Sequence, residues 1–131
     1  MNRKSIRWIV GGLVVAIPLM WIVDRVAGST AYRKTDLARA QIRFITEGSL
    51  AEYAKVNHRF PLQAEGLDAM VKAELLSPRA IVDPWDHPML YVCQAPNCSR
   101  VLLYSKGPNG IDEGGKGDDI GMVKELSAPK S

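Results

Sequence analysis

Residues 89–104, with the sequence MLYVCQAPNCSRVLLY, contain two runs of β-forming residues on either side of a segment that holds both cysteines of the chain. Residues 89–92 and 101–104 are rich in valine and tyrosine, so they predict the two strands of a hairpin. Residues 122–126 predict a third, short strand. The C-terminal part of the chain is therefore expected to form a small antiparallel sheet.

The two cysteines, Cys93 and Cys98, are separated by four residues. Two cysteines supply only half of the ligands of a structural zinc site. A thioredoxin-like redox motif requires two intervening residues instead of four. We favour a disulfide that closes the tip of the hairpin, which a location outside the cytoplasm would permit.

Residues 35–56, before the hairpin, have the periodicity of an α-helix. Spacings of three and four residues place one narrow apolar stripe along it; its members are Leu37, Ala40, Phe44, Gly48 and Ala51. The charged residues Arg39, Arg43 and Glu47 lie on the other side. Asn57 is the predicted end of this helix, and Pro61 excludes its continuation.

A second short helix is predicted over residues 63–76, where the apolar residues are Leu67, Met70, Val71 and Leu75. Residues 83–88, DPWDHP, predict a rigid turn because their two prolines fix φ. The order of helices followed by strands predicts the α+β class.

Residues 8–23 carry no charge and follow a basic start. One interpretation is a secretory signal peptide with a cleavage site near residues 26–28. We favour a membrane anchor, because Trp8 and Trp21 lie near the two ends of the run, where interfacial aromatic residues belong. Pro18 would kink the helix, which membrane helices tolerate. Residues 1–28 are then a cytoplasmic start and anchor, and residues 29–131 are an extracytoplasmic domain.

The charge of the chain is divided in the same way. The formal net charge of +3 separates into +5 for residues 1–34 and −2 for residues 35–131. Positively charged residues stay on the cytoplasmic side of a membrane, so the basic end indicates topology. Because the body has no basic excess, nucleic acid is not an expected partner. A small-molecule substrate is not expected either, because the sequence contains no recognisable catalytic motif.

Residues 107–120, GPNGIDEGGKGDDI, form a segment rich in glycine and carboxylates, which we call the acidic loop. Calcium binds six to eight oxygens from carboxylates, amides and carbonyls, and the composition suits this ion. The order of an EF-hand is absent, as is the Gly-Lys-Ser/Thr of a phosphate loop. A solvated cluster of turns is the competing interpretation.

Candidate catalytic residues are few. His58 and His87 are the two histidines that could act as a base at neutral pH. Neither is near a serine or cysteine in a recognisable nucleophile motif. We therefore expect that the protein is not an enzyme.

Five segments, taken in order, resemble the major pseudopilins of type II secretion, the G subunit. They are residues 50–61 (LAEYAKVNHRFP), 65–67 (EGL), 83–85 (DPW), 105–110 (SKGPNG) and 117–120 (GDDI). The resemblance implies a type IV pilin-like fold, in which a long N-terminal helix has a membrane half and a soluble amphipathic half. It also implies that the apolar stripe packs on the sheet.

The same resemblance implies a Ca²⁺ site in the acidic loop. The side-chain ligands would be Asn109, Asp118 and Asp119, and Asp112 would replace the charge that Asn109 lacks. Backbone carbonyls would come from Lys106 and Ile111.

One motif of the family is missing. Members carry a leader that ends in glycine and is followed by Phe-Thr-Leu-x-Glu, where prepilin peptidase cuts, whereas residues 7–13 here read RWIVGGL. We expect a divergent relative that stays anchored in the inner membrane by a single span. Its N-terminus would be cytoplasmic and its C-terminal domain periplasmic. The expected function is that of a structural subunit of a pilus-like secretion apparatus, with other pseudopilin-like subunits or secretion-apparatus proteins as partners. The alternative is a tethered periplasmic calcium-binding module that forms no filament.

Overall fold

The computed structural model describes residues 33–127. The first helix, α1, covers residues 33–57 and consists of an α-helical part at 33–43, a π-helical segment Phe44–Ser49 and a second α-helical part Leu50–Asn57. A short helix α2 (Asp68–Lys72) follows, then the strands β1 (Leu90–Cys93), β2 (Arg100–Ser105) and β3 (Ile120–Glu125). The α+β class is confirmed. The predicted membrane half, with Trp8, Pro18 and Trp21, lies outside the described residues, and within 33–127 no helix is long and apolar enough to cross a membrane.

The three strands form one antiparallel sheet in the order β1-β2-β3. Tyr91 of β1 is opposite Leu103 of β2, and Leu103 is opposite Met122 of β3. The predicted strands are confirmed, with boundaries displaced by one or two residues. A disulfide joins Cys93 to Cys98 across the β1–β2 connection, with 4.9 Å between their Cα atoms.

The face of α1 that packs on the sheet is not the face that the sequence predicts. Leu37 and Phe44, the largest members of the apolar stripe, are 60% and 63% exposed. The core is built by a different face of α1, by the segment after it, by α2 and by the strands. Its members include Ile42, Ile45, Leu50, Tyr53, Phe60, Met70, Tyr91, Val101 and Leu103. The prediction that the stripe packs on the sheet was wrong.

Two polar residues conceal the buried face in the sequence. Thr46 is fully buried, and its hydroxyl donates to the Ile42 carbonyl at 2.8 Å. Ser49 is also buried, and its hydroxyl donates to the Leu75 carbonyl at 3.0 Å. Since each hydroxyl has an acceptor, burial of these polar groups costs little. The buried stripe therefore contains residues that a periodicity of apolar residues alone does not include.

The ends of the helices follow from backbone conformation. His58 takes a left-handed conformation (φ 57°), and its N–H donates to the Ala54 carbonyl, which ends α1 after Asn57 as predicted. The second helix is shorter than the predicted 63–76. Gly66 (φ 57°) and Glu74 (φ 59°) are both left-handed and interrupt helical geometry on the two sides of α2.

One side chain occupies the outer edge of β1. The Gln63 amide donates to the Tyr91 carbonyl at 2.8 Å and its oxygen accepts from the Cys93 N–H at 2.7 Å. These two bonds replace the bonds that a neighbouring strand would make. The Tyr91 hydroxyl also donates to the Pro61 carbonyl at 2.6 Å, so the segment after α1 is tied to the sheet.

An ion pair fixes the chain as it leaves α1. Arg59 donates to both carboxylate oxygens of Glu65, at 2.7 and 3.1 Å, and the Leu62 N–H donates to the same carboxylate at 2.7 Å. The hydrogen bond from Arg59 is the main cause that lowers the pKa of Glu65 from 4.5 to about 2, and the Leu62 N–H adds to it.

The assignment of the two faces of α1 predicts unequal effects for neighbouring substitutions. Ile45→Ala removes a fully buried side chain and should lower the free energy of unfolding by about 2–5 kcal/mol. Phe44→Ala removes a mostly exposed side chain and should change it by no more than about 0.5 kcal/mol. Thermal and denaturant unfolding of the full chain in mild detergent measures both. Equal losses for the two variants would contradict the assignment.

The ion pair predicts a specific dependence of stability on pH. Because folding lowers the pKa of Glu65, its contribution is complete above the unfolded pKa and is lost as the pH falls through the folded pKa. Glu65→Gln should therefore have a lower Tm than the wild type near neutral pH. It should also lose less Tm between about pH 5 and pH 2. Glu52→Gln is the control, since the Lys55–Glu52 pair is exposed. A wild-type pH slope in Glu65→Gln would contradict this prediction.

Candidate metal centre

The acidic loop connects β2 to β3, and its two ends are held together by the sheet. Ser105, the last residue of β2, is paired with Ile120, the first residue of β3. Gly107 (φ 66°) approaches the backbone of Asp118 so closely that a Cβ at Gly107 would lie 2.2 Å from the Asp118 carbonyl oxygen. Both the strand pairing and this close approach bring the first and last parts of the loop to one place.

A buried carboxylate fixes the entrance of the loop. Asp83 is 3% exposed, and one of its oxygens accepts from the N–H groups of Trp85 and His87 at 3.0 and 2.9 Å. Its other oxygen accepts from the Ser105 hydroxyl at 2.6 Å, and the Ser105 oxygen accepts from the Gly107 N–H at 3.1 Å. The turn at residues 83–88 is thereby connected to the first residue of the loop.

Asn109 and Asp118 form a bridge across the loop. The Asn109 amide nitrogen donates to Asp118 Oδ1, and the Asn109 N–H donates to Asp118 Oδ2 at 3.2 Å. The Asn109 side-chain oxygen accepts from the Ile111 N–H at 2.8 Å. Asn109 therefore lies beside Asp118, another of the residues predicted as ligands, and both its amide nitrogen and its amide oxygen have hydrogen-bond partners.

Asp119 uses only one of its carboxylate oxygens. Oδ2 accepts from the N–H groups of Glu113 and Gly115, both at 2.9 Å. Oδ1 is buried and has no hydrogen-bond partner among the described residues. A buried carboxylate oxygen without a donor is costly, and it is the kind of atom that a cation would satisfy.

Three carboxylates come together in the loop. Glu113, Asp118 and Asp119 each place an oxygen within 4.8 Å of the others. Glu113 is held there because its Oε2 accepts from the Asp118 N–H at 3.0 Å. Asp118 and Asp119 were predicted as ligands, whereas Glu113 was not. The sequence carried one signal for Glu113, which is that it belongs to the same glycine-rich acidic segment.

Asp112 makes its hydrogen bonds outside this group of three carboxylates. Its Oδ1 accepts from the Tyr104 hydroxyl at 2.8 Å and from the Gly114 N–H at 3.0 Å. The bond from Gly114 is the main cause that lowers the pKa of Asp112, and the bond from Tyr104 adds to it. Burial, assisted by the bond to Asp112, raises the pKa of Tyr104 to about 12. The structure therefore does not place Asp112 in the acidic cluster.

Of the two predicted backbone ligands, Lys106 directly precedes the acidic loop and Ile111 lies within it. Lys106 follows Ser105 at the entrance and is partly buried, whereas Ile111 is 62% exposed. That the backbone carbonyl groups of Lys106 and Ile111 bind the ion stays a prediction.

The oxygens that the loop assembles suit a hard cation. Calcium prefers carboxylate and carbonyl oxygens in a flexible arrangement. The unpartnered Oδ1 of Asp119 and the proximity of three carboxylates are two features of the loop that fit a bound cation. The residues present therefore fit the predicted ion.

The two histidines lie in different surroundings. His58 is exposed at the end of α1. His87 packs against Gly110, where an added Cβ would lie 2.9 Å from the ring, and its Nδ1 is 3.9 Å from the nearer oxygen of Asp83. Ser105 bonds directly to Asp83, so these three side chains do not have the order of a Ser-His-Asp relay, in which the histidine lies between the other two.

A family model described as type II secretion system (T2SS), protein G, matches residues 25–124. Comparison with curated proteins and with solved structures gave no match. The matched range includes all of the described helices and strands except the last residue of β3, and it contains the acidic loop. Because the match extends over most of the chain, the protein belongs to the type II secretion system protein G family.

Proposed function

We propose that this protein is a structural, pseudopilin-like subunit of a type II secretion apparatus, and that it acts through helix packing and protein contacts. Its partners would be other pseudopilin-like subunits or proteins of the apparatus. Residues 1–28 would anchor it in the inner membrane, with the N-terminus in the cytoplasm and residues 29–131 in the periplasm. Membership of the protein G family supports the general role. The exposed stripe of α1 carries the proposal of how the subunit makes contacts.

The exposed stripe is the part of the predicted apolar stripe that lies on the surface, namely Leu37, Ala40, Phe44 and Gly48. Leu37 and Phe44 are both more than half exposed. Ala40 and Gly48 lie on the same side, and their small side chains allow another backbone to approach closely. A leucine and a phenylalanine exposed on one side of a helix are typical of a surface that binds another protein.

The alternative function is a membrane-tethered periplasmic calcium-binding module that does not assemble into a filament. The observation that favours it is the acidic loop, because its cluster of carboxylates requires no neighbouring subunit. The two functions share a calcium site and differ in whether α1 contacts other subunits.

We propose that the acidic loop binds Ca²⁺. Asp118, Asp119 and Glu113 would supply carboxylate oxygens, and Asn109 would hold Asp118 in position. The ion would neutralise like charges that lie close together and would connect the middle of the loop, at Glu113, to its C-terminal end. The unpartnered Asp119 Oδ1 is the observation that supports this site.

The contact surface predicts site-specific crosslinks. A photoreactive phenylalanine analogue at position 44 should crosslink the full chain to other subunits in native membranes, because Phe44 is exposed on the stripe. The same analogue at Arg39 is the control, since position 39 lies about 200° around the helix from Leu37. Mass spectrometry identifies the crosslinked partner, which can be another protein or a second copy of this chain. If position 44 gives no more adducts than position 39, the proposed contact surface is wrong and the tethered module is favoured.

Calcium should stabilise the full chain against heat. Binding to the folded state alone adds about 2.7 kcal/mol when the free ion is at one hundred times its Kd. Asp118→Asn and Asp119→Asn should each abolish most of the increase in Tm, whereas Asp68→Asn, an exposed change in α2, should leave it intact. Melting curves in detergent with Ca²⁺ and with a chelator measure this effect. An unchanged wild-type Tm would exclude the proposed calcium site.

A further inference from the structure

The two adjacent acids of the acidic loop have different surroundings. Asp112 accepts from the buried Tyr104 hydroxyl, while Glu113 lies with Asp118 and Asp119. From the sequence, Asp112 is the residue expected to add charge to the site. The geometry assigns this role to its neighbour instead.

The carboxylate of Glu113 occupies a space that a glycine leaves open. Gly117 has φ 61°, and a Cβ placed on it would lie 2.5–2.6 Å from the carboxylate atoms of Glu113. Any larger residue at position 117 would displace this carboxylate or strain the backbone. The Asp118 N–H donates to the same carboxylate at 3.0 Å. The Glu113 side chain is therefore directed back across the loop and toward Asp118.

The cost of this arrangement needs compensation. Three carboxylates with oxygens within 4.8 Å of one another repel each other when all are ionised, and the buried Oδ1 of Asp119 has no donor among the described residues. Asn109 brings no charge, and its side-chain oxygen is already used by the Ile111 N–H. The negative charge of the site therefore comes from Glu113, Asp118 and Asp119.

The Asp112 carboxylate connects the sheet to the backbone next to Glu113. Tyr104 is 4% exposed in β2, so its hydroxyl is a fixed point on the sheet. Asp112 connects this point to the Gly114 N–H, immediately after Glu113. The bond from Tyr104 thus holds the backbone on both sides of Glu113 in place.

We infer that Glu113 is the third acidic ligand of the calcium site, and that Asp112 is a positioning residue that acts through Tyr104. This inference rests on the proposed calcium binding. It assigns the ion to the three carboxylates that lie between positions 113 and 119 of the acidic loop, with Gly117 as the residue that makes room for one of them.

Isothermal titration of the full chain in detergent with Ca²⁺ tests the inference. Glu113→Gln should weaken the affinity at least tenfold, as Asp118→Asn should. Asp112→Asn, which keeps an oxygen to accept from Tyr104, should weaken it less than threefold. Without calcium, Glu113→Gln should melt no lower than the wild type, because it removes repulsion among the carboxylates. A residue that is only structural would lower this calcium-free Tm.

A double-substitution cycle gives the second arm of the test. Gly117→Ala should weaken calcium binding severalfold in the wild-type background. In the Glu113→Gln background it should cause a smaller loss, because the two changes act on the same contact. Strain of the backbone at position 117 is common to both backgrounds and cancels.

The outcomes separate this inference from the calcium site itself. If the wild type binds Ca²⁺, Asp118→Asn abolishes binding and Glu113→Gln binds like the wild type, the role of Glu113 is overturned and the calcium site stands. If Asp112→Asn is as damaging as Glu113→Gln, the division of roles is overturned. If the wild type binds no Ca²⁺, the proposed site fails and the inference fails with it.

Discussion

Burial of the Asp83 carboxylate is the constraint on which the position of the acidic loop depends. An ionised carboxylate in the interior must have its oxygens satisfied, because the cost of an unpaired buried charge is several kcal/mol. Asp83 meets this condition with three donors that come from its own turn and from the end of β2. The Ser105 oxygen in turn accepts from the N–H of Gly107, the first residue of the acidic loop. One buried carboxylate therefore connects the turn, the end of β2 and the entrance of the loop.

Helix α1 has two apolar faces with different roles. One face contributes Ile42, Ile45 and Tyr53 to the core, and the other leaves Leu37 and Phe44 in contact with solvent. A helix that only had to cover a small sheet would need one apolar face. In a member of the protein G family, a second face suits contacts made after the domain has folded. Under the proposed function, one face of the helix serves the folding of the subunit and the other face serves its association.

The sequence was sufficient for the parts of the fold that local chemistry decides. Runs of β-forming residues located the strands, the cysteine spacing indicated the disulfide, and the end of α1 at Asn57 followed from the residues after it. The face of α1 was not predictable in this way. Thr46 and Ser49 have acceptors that only the folded chain provides, so their burial is a tertiary effect. For the same reason, the sequence could not show that Glu113, and not Asp112, lies with Asp118 and Asp119. Asp112 bonds to Tyr104, a residue of β2, and this contact exists only in the folded chain.

Gln63 has a consequence for the protein at high concentration. An open strand edge is a template for pairing with the same strand of another molecule, and such pairing leads to aggregates. At β1 the Gln63 amide already takes the donor of Cys93 and the acceptor of Tyr91. A second copy would have to displace this side chain before its own strand could be added. Gln63 therefore protects this edge of the sheet, so that molecules at high concentration do not pair through their β1 strands.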